Sequence, residues 1–369
     1  MSGNILNIGL VGMGEAAQTL HLPTLFRYNT KFNVVAGQDI SSTLVEQLCM
    51  QYQINNGYAN AEDVITDSNV DAVIIMSPDP LHYLHAKMAI ENNKHVLLEK
   101  PSCLQLEHIQ ELAELAEVNG VKVCIAYMRA YSEAFKQAEK QLTAFGDIKS
   151  VRVRDLQREG DYYIPQVAAV VTPNDHDRAK ITELAGVELS QRKHILGNKS
   201  HSDLLWKIYR VLTGAAIHNL SALRMLIGEP KRVVSGYSNS TGDNIVLTLD
   251  YGEFFASYEI LIDNLSRVDA HIEVTSESEM FRVNYTTPYI RNLPTTFEYQ
   301  SSLNGKNIKS VSGPYYQDQF TNELLHFHAA IKQGEAVKTT LNDSFKDIKL
   351  VQQALLCIAD SLGVTEHVE

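Results

Sequence analysis

The chain has 369 residues, 44% hydrophobic and 21% charged, an ordinary globular composition with length enough for two or three domains. Its formal net charge of -12 and pI of about 5.6 describe a surface that repels phosphate backbones, so nucleic acid is excluded as an expected partner. No apolar stretch approaches the ~20 residues that span a bilayer, and the N-terminus lacks a signal-peptide pattern. No membrane partner is expected, and the cytoplasm is the expected location.

The first third alternates regularly. Residues 8–11 read as a buried strand that runs into a glycine-rich turn. Residues 16–28 read as a helix that Pro23 must interrupt or bend, because proline lacks the N–H and clashes with the preceding turn. A strand at 32–37 ends at Gln38-Asp39, and capping serines open an amphipathic helix at 41–52. Strands follow at 72–76, 95–98 and 121–126, separated by helices at 80–92 and 104–119. Strands separated by helices make βαβ units, and their unbroken apolar runs fit a parallel sheet buried on both faces.

Character changes near residue 130. A helix at 132–142 leads into a new strand system beginning at 146–154. Residues 203–227 are strongly apolar and helical, closed by Gly228-Glu229-Pro230. Strands at 245–251, 254–261, 270–276 and 280–285 have turns rather than helices between them, which predicts an antiparallel sheet. Helices at 318–333 and 343–362 finish the chain. Residues 156–205 are charged and punctuated by Pro165, Pro173, Gly186 and Gly197; a structureless loop of this length is uncommon, so a partly helical insertion is expected, with a helix over 178–192. Cys49, Cys103, Cys124 and Cys357 match neither a zinc spacing nor a redox pair and read as reduced, mostly buried thiols.

The turn Gly12-Met13-Gly14-Glu15-Ala16-Ala17 follows a strand and opens a helix. Gly12 makes the tight turn, Gly14 lets the backbone approach a pyrophosphate, and Ala17 is small enough for helix and strand to pack closely. The free N–H groups of the helix N-terminus then face the phosphates. Asp39, at the end of the next strand, is suited to accept hydrogen bonds from an adenosine ribose and to repel a 2′-phosphate. The expected cofactor is therefore NAD rather than NADP, and the alternative is a Rossmann-like turn for a flavin or nucleotide. The expected architecture is α/β: a Rossmann doubly wound parallel sheet over 1–129, then an α/β domain with an open, mostly antiparallel sheet over 130–369.

Two further motifs fall at the carboxyl ends of strands, the edge where ligands of open α/β sheets bind. Ser77-Pro78-Asp79-Pro80-Leu81-His82 follows the third strand, and Glu99-Lys100-Pro101 follows the next. A lysine at the mouth of an apolar strand costs desolvation unless it has a partner or a task. Lys100 reads as a hydrogen-bond donor to a substrate hydroxyl; the alternative is a solvated turn lysine.

Together with His21-Leu22-Pro23, Tyr127-Met128-Arg129 and Ile217-His218-Asn219-Leu220, these residues resemble the Gfo/Idh/MocA family of sugar and polyol oxidoreductases. The resemblance covers nearly the whole chain apart from 156–205. It implies that Gly12, Met13, Gly14, Glu15, Ala16, Asp39, Ser77, Pro78, His82, Glu99, Lys100 and Arg129 line a bound NAD. It implies Lys100 and His218 as catalytic residues, with transfer of a hydride between the nicotinamide and a sugar, polyol or related hydroxy compound. A homodimer or homotetramer through the second-domain sheet is also implied.

The sequence departs from the family around the histidine. Many members carry an aspartate four residues before it, where this chain has Gly214; Ala216 and Ser221 are further departures. The rival readings are a non-catalytic sensor of NAD and a sugar-like ligand, and a lyase or glycosidase with transient redox of NAD. No metal is expected, since His82 and His85 lack a supporting carboxylate or cysteine constellation. His176, His194 and His201 read as polar residues scattered over a solvated segment; Tyr162 and Tyr163 read as ordinary loop residues; Asp155 and Arg158 are candidates for lining the cleft.

Overall fold

A computed structural model describes residues 4–291 and 293–364. The chain forms two compact units, each discontinuous in sequence: residues 1–126, 164–195 and 323–345 make the first, and 127–163, 196–322 and 346–369 the second.

The first unit is built on six parallel strands. These are β1 (Leu6–Val11), β2 (Phe32–Gln38), β3 (Asn56–Tyr58), β4 (Ala72–Ile75), β5 (His95–Leu98) and β6 (Val123–Ile125), in the order β3-β2-β1-β4-β5-β6. The order reverses between β1 and β4, the topological switch point of a doubly wound sheet. Every residue of β4 is buried, as expected of a strand covered by helices on both faces. Helix α1 (Leu22–Arg27) is preceded by a π-helical turn at Ala17–His21. Pro23 sits at the start of α1 and cannot donate to a carbonyl one α-turn back, so the widened turn absorbs the mismatch. The predicted helix is thus continuous in space but changes winding. Helix α2 (Ser42–Tyr52) is capped by the Ser41 hydroxyl, which accepts the Leu44 N–H at 3.1 Å. Helices α3 (Ala61–Thr66), α4 (His82–Glu91) and α5 (Leu106–Asn119) complete the crossovers. The core joins Leu6, Ile8, Leu10, Met13, Ile74 and Leu97 to Leu324 and Phe327 from the distant 323–345 segment.

The second unit contains α6 (Glu133–Leu142) and an eight-stranded sheet: β7 (Ser150–Arg158), β8 (Arg232–Ser238), β9 (Asn244–Asp250), β10 (Phe255–Asp263), β11 (Val268–Thr275), β12 (Glu279–Tyr285), β13 (Thr295–Leu303) and β14 (Lys306–Tyr315). The order is β14-β13-β12-β11-β7-β10-β9-β8, antiparallel throughout except for the β7–β10 pair. Buried and open positions alternate along β7, where Val151 and Val153 face inward and Arg152 and Arg154 outward. The outward residues pair across strands, as in Arg154–Asp269 at 2.9 Å.

The segment read as an insertion is helical, with α7 (Gly160–Val167) and α8 (Arg178–Leu196). The boundary expected at 129/130 assigned 164–195 and 323–345 to the second part of the chain; both pack within the first unit. Helices α9 (Asp203–Val211) and α10 (Ile217–Ile227) flank another π-helical turn at Leu212–Ala216. Helices α11 (Gln319–Lys332) and α12 (Leu341–Ser361) end the chain.

Candidate functional site

The glycine turn lies at the carboxyl end of β1. Gly12 has φ +88°, a conformation strained for any side chain, and its N–H donates to the Gln38 carbonyl at 2.9 Å. A Cβ at Gly12 would stand 2.7 Å from the Met76 carbonyl oxygen, so the backbone leaving β4 passes too close for alanine. Gly14 is different: a Cβ there meets no protein atom within 4 Å. The fold itself therefore does not demand glycine at 14, and the open space over its backbone is the clearance that a pyrophosphate needs. Met13 buries its side chain in the core, and its N–H donates to Asp39 Oδ2 at 2.9 Å. Asp39 Oδ1 accepts the Ser41 N–H at 3.0 Å. The carboxylate expected for the ribose is thus held between the turn and the start of α2 by two backbone donors. Glu15 is exposed and Ala16 half-buried as the helix begins, with the Glu15 carbonyl accepting the Thr19 hydroxyl at 2.7 Å.

The other two motifs meet through His82. Both of its ring nitrogens are taken up by carbonyl oxygens, those of Ser77 and Pro101, each at 2.7 Å. His82 is 1% exposed and spans the loops after β4 and β5, so it has no nitrogen left for a metal or a ligand. It braces the loops that carry the second and third motifs. The Ser77 hydroxyl meets His85 Nδ1 at 2.9 Å. Burial, and then the neighbouring His82, lower the His85 pKa to about 4. Pro78 is exposed at the head of the turn Asp79–Leu81.

Glu99 and Lys100 follow β5. Glu99 Oε1 lies 2.8 Å from His21 Nε2, and Glu99 Oε2 accepts the Lys100 N–H at 3.2 Å. Burial alone would raise the Glu99 carboxyl; the His21 hydrogen bond and the charges of His21, Lys100 and His82 outweigh it and leave the pKa below its ordinary value. The Lys100–Pro101 bond is cis. The pairing of His21 with Glu99 ties the first helix to the third motif. Both residues stand in the sequence motifs, yet nothing in their 78-residue separation predicts contact.

Arg129 and His218 belong to the second unit. Arg129 is 3% exposed; its guanidinium lies 3.4 Å from Asp155 and 4.9 Å from the centre of the Tyr285 ring. Asp155 is fully buried, and desolvation raises its carboxyl pKa against the pull of Arg129. The pair is thus an internal ion pair of this unit. His218 is half-buried in the first turn of α10. Its neighbour Asn219 donates to the Arg154 carbonyl at 3.2 Å and fixes the helix against β7. The π-turn before α10 matters for the missing acid. The positions four and five before His218 are Gly214 and Thr213, both within that turn. Neither is an acid, and the Thr213 hydroxyl donates to the Tyr209 carbonyl at 2.9 Å. Among the described residues no three His, Cys, Asp or Glu side chains gather as a metal site. Burial also pushes the Cys103 and Cys124 thiols well up, which leaves them inert.

Residues 6–127 match a family described as the oxidoreductase family with an NAD-binding Rossmann fold, GFO_IDH_MocA. An uncharacterized oxidoreductase of Bacillus subtilis, YrbE, is 22% identical over 98% of this chain and 97% of its own length. The scyllo-inositol 2-dehydrogenase (NADP(+)) IolW of the same organism is 21% identical over 95% and 93%. A stronger local match, 31% to an oxidoreductase of Synechocystis, is confined to 40% of each chain. Among solved structures, apo scyllo-inositol dehydrogenase from Lactobacillus casei has a TM-score of 0.69 at 15% identity over 98% of both chains. Residues 6–127 thus carry the NAD-binding Rossmann region of this oxidoreductase family, and relatives similar along nearly the whole chain are named as oxidoreductases or dehydrogenases.

Proposed function

We propose that this oxidoreductase uses NAD and acts on a sugar, polyol or related small hydroxy compound. The carrying observation is the cleared backbone at Gly14 beside Asp39 and Lys100, all at the carboxyl edge of one sheet. The inositol dehydrogenases among the relatives favour a polyol. Asp39 favours NAD by repelling a 2′-phosphate, although IolW is named for NADP(+).

The nicotinamide supplies a two-electron acceptor or donor for the substrate carbon. The chain supplies the rest. The Gly12–Ala16 turn binds the pyrophosphate through backbone N–H groups. Ser77 and Pro78 lie along the dinucleotide, held by His82. The Lys100 ammonium donates to the substrate oxygen and favours its loss of a proton. His218 takes that proton in oxidation and returns it in reduction. Arg129 acts indirectly, since its guanidinium is engaged with Asp155.

Absorbance at the nicotinamide band, followed with NAD and a panel of sugars and polyols, tests the reading. Turnover with at least one polyol is expected. Lys100→Met and His218→Ala should each lower kcat by roughly 10²-fold or more, with NADH affinity within about threefold. Tight NADH binding with no turnover on any hydroxy compound supports a sensor instead. Turnover with bound NAD and no net NADH supports a lyase or glycosidase. A homo-oligomer formed through the second-unit sheet, and a cytoplasmic location, belong to the same proposal and rest on the family resemblance.

A further inference from the structure

The 164–195 segment crosses the carboxyl edge of the first sheet. At one end of α8, Lys180 Nζ donates to the Ala59 carbonyl at 2.7 Å and to Asn60 Oδ1 at 2.9 Å, just beyond β3. Near the other end, Gln191 Nε2 donates to the Pro80 carbonyl at 2.9 Å, just beyond β4. His194 reaches Glu107, beyond β5, at 3.5 Å. Lys180 to Gln191 is a rise of about 16 Å at ~1.5 Å per residue. The sheet order puts β3 and β4 three strand spacings apart, about 14 Å at ~4.8 Å each. The helix therefore bridges the edge above β2 and β1, where the adenosine half of a dinucleotide lies in a doubly wound fold.

Upstream of α8 the segment is pinned twice. The Val171 N–H donates to Gln18 Oε1 at 2.8 Å, and Gln18 Nε2 donates back to the Val171 carbonyl at 3.2 Å, tying the strap to the helix after the glycine turn. Asp175 then places its carboxylate on the N-terminus of α2. It accepts from the Ser41 hydroxyl, from the Ser42 hydroxyl at 3.0 Å, and from the Thr43 N–H and hydroxyl, each at 2.9 Å. Ser41 is tied by its own N–H to Asp39, the expected ribose acceptor. A phosphate esterified to the ribose 2′-oxygen would extend beyond Asp39 toward these donors, since hydroxyls and a free N–H at a helix N-terminus are what a phosphate seeks. The donors are already taken by a carboxylate of the same charge sign. The hydrogen bond from Ser41, followed by that from the Thr43 N–H, holds the Asp175 carboxyl well below the usual carboxylate range, so it is ionised at neutral pH.

We propose that Asp175, delivered by the 164–195 strap, occupies the place of the coenzyme 2′-phosphate and selects NAD(H) over NADP(H). The assignment rests on the coenzyme reading above and adds a discriminating residue 136 positions from Asp39 in the chain. Equilibrium dissociation constants for NADH and NADPH, measured by calorimetry on the wild type, Asp175→Asn and Asp175→Ser, test it without recourse to turnover. The wild type should favour NADH. Both variants should narrow the NADPH-to-NADH ratio by about tenfold, the size of one like charge removed across a partly screened surface. NADH affinity should stay within about threefold. A ratio unchanged within twofold in both variants overturns the assignment, and so does an equal loss of both affinities, which would leave Asp175 holding the strap and nothing more. Equal binding of the two dinucleotides by the wild type overturns it as well. If the wild type binds neither dinucleotide, the coenzyme reading itself fails and the assignment falls with it.

Discussion

At the scale of single residues, two glycines in one turn serve different masters. Gly12 answers to the fold, through its positive φ and the Met76 carbonyl; at Gly14 no protein atom fills the place of a Cβ, and the proposed coenzyme is what would need that clearance. Gly14→Val should therefore keep the melting temperature within a few degrees while NADH affinity falls more than about 100-fold, since two methyl groups would occupy the pyrophosphate clearance. Gly12→Val should instead unfold at lower temperature, losing about 1–3 kcal/mol from backbone strain alone. Equal melting losses in the two variants would refute the distinction. The spacing of the motif made both glycines legible, but not the division of labour. The same holds for His82, whose bridging of the Ser77 and Pro101 carbonyls the motif spacing does not announce.

At the scale of elements, the strongly periodic and apolar segments were legible and the polar ones were not. Strands β1, β2, β4 and β5 announced themselves by short, mostly apolar runs. Strand β14 is exposed along nearly its whole length, so it carries no inward-facing pattern to read. The short β3 offers too few residues for any period. Both π-turns lie within predicted helices, and propensity is blind to winding; only the Pro23 at the first gave a cue. Helix α10 is fixed to α12 by a bidentate ion pair, Arg224 Nε to Asp347 Oδ1 at 2.6 Å and Nη2 to Oδ2 at 3.0 Å. Arg224 is 7% exposed and Asp347 fully buried. Arg224→Met removes the guanidinium partner of a buried carboxylate and should cost about 3–5 kcal/mol, whereas adding Asp347→Leu should recover much of the loss. Chemical denaturation of the single and double variants measures both; a double variant no better than the single one would show that the pair is not the locking contact.

At the scale of the molecule, each unit is assembled from three stretches of chain, and the first gathers its strap from residues 164–195. A ligand that binds the folded state stabilises it by about 2.7 kcal/mol at a hundredfold excess over Kd. Amide exchange should therefore slow on adding NADH at 12–18, at 39–43 and, with them, at 168–180, if the strap overlies the coenzyme. Protection of the first two segments without the third would separate the strap from the binding site. The sequence by itself determined the parallel sheet, the glycine turn with Asp39, the motifs after β4 and β5 and the family resemblance they carry, because these rest on local periodicity and short spacing. Tertiary structure alone decided that Asp175 sits on the helix after Asp39, that Glu99 meets His21, and that 164–195 packs on the first unit. Those contacts join residues from 78 to more than 130 positions apart through polar side chains that carry no periodic signal, and only the path of the folded chain brings them together.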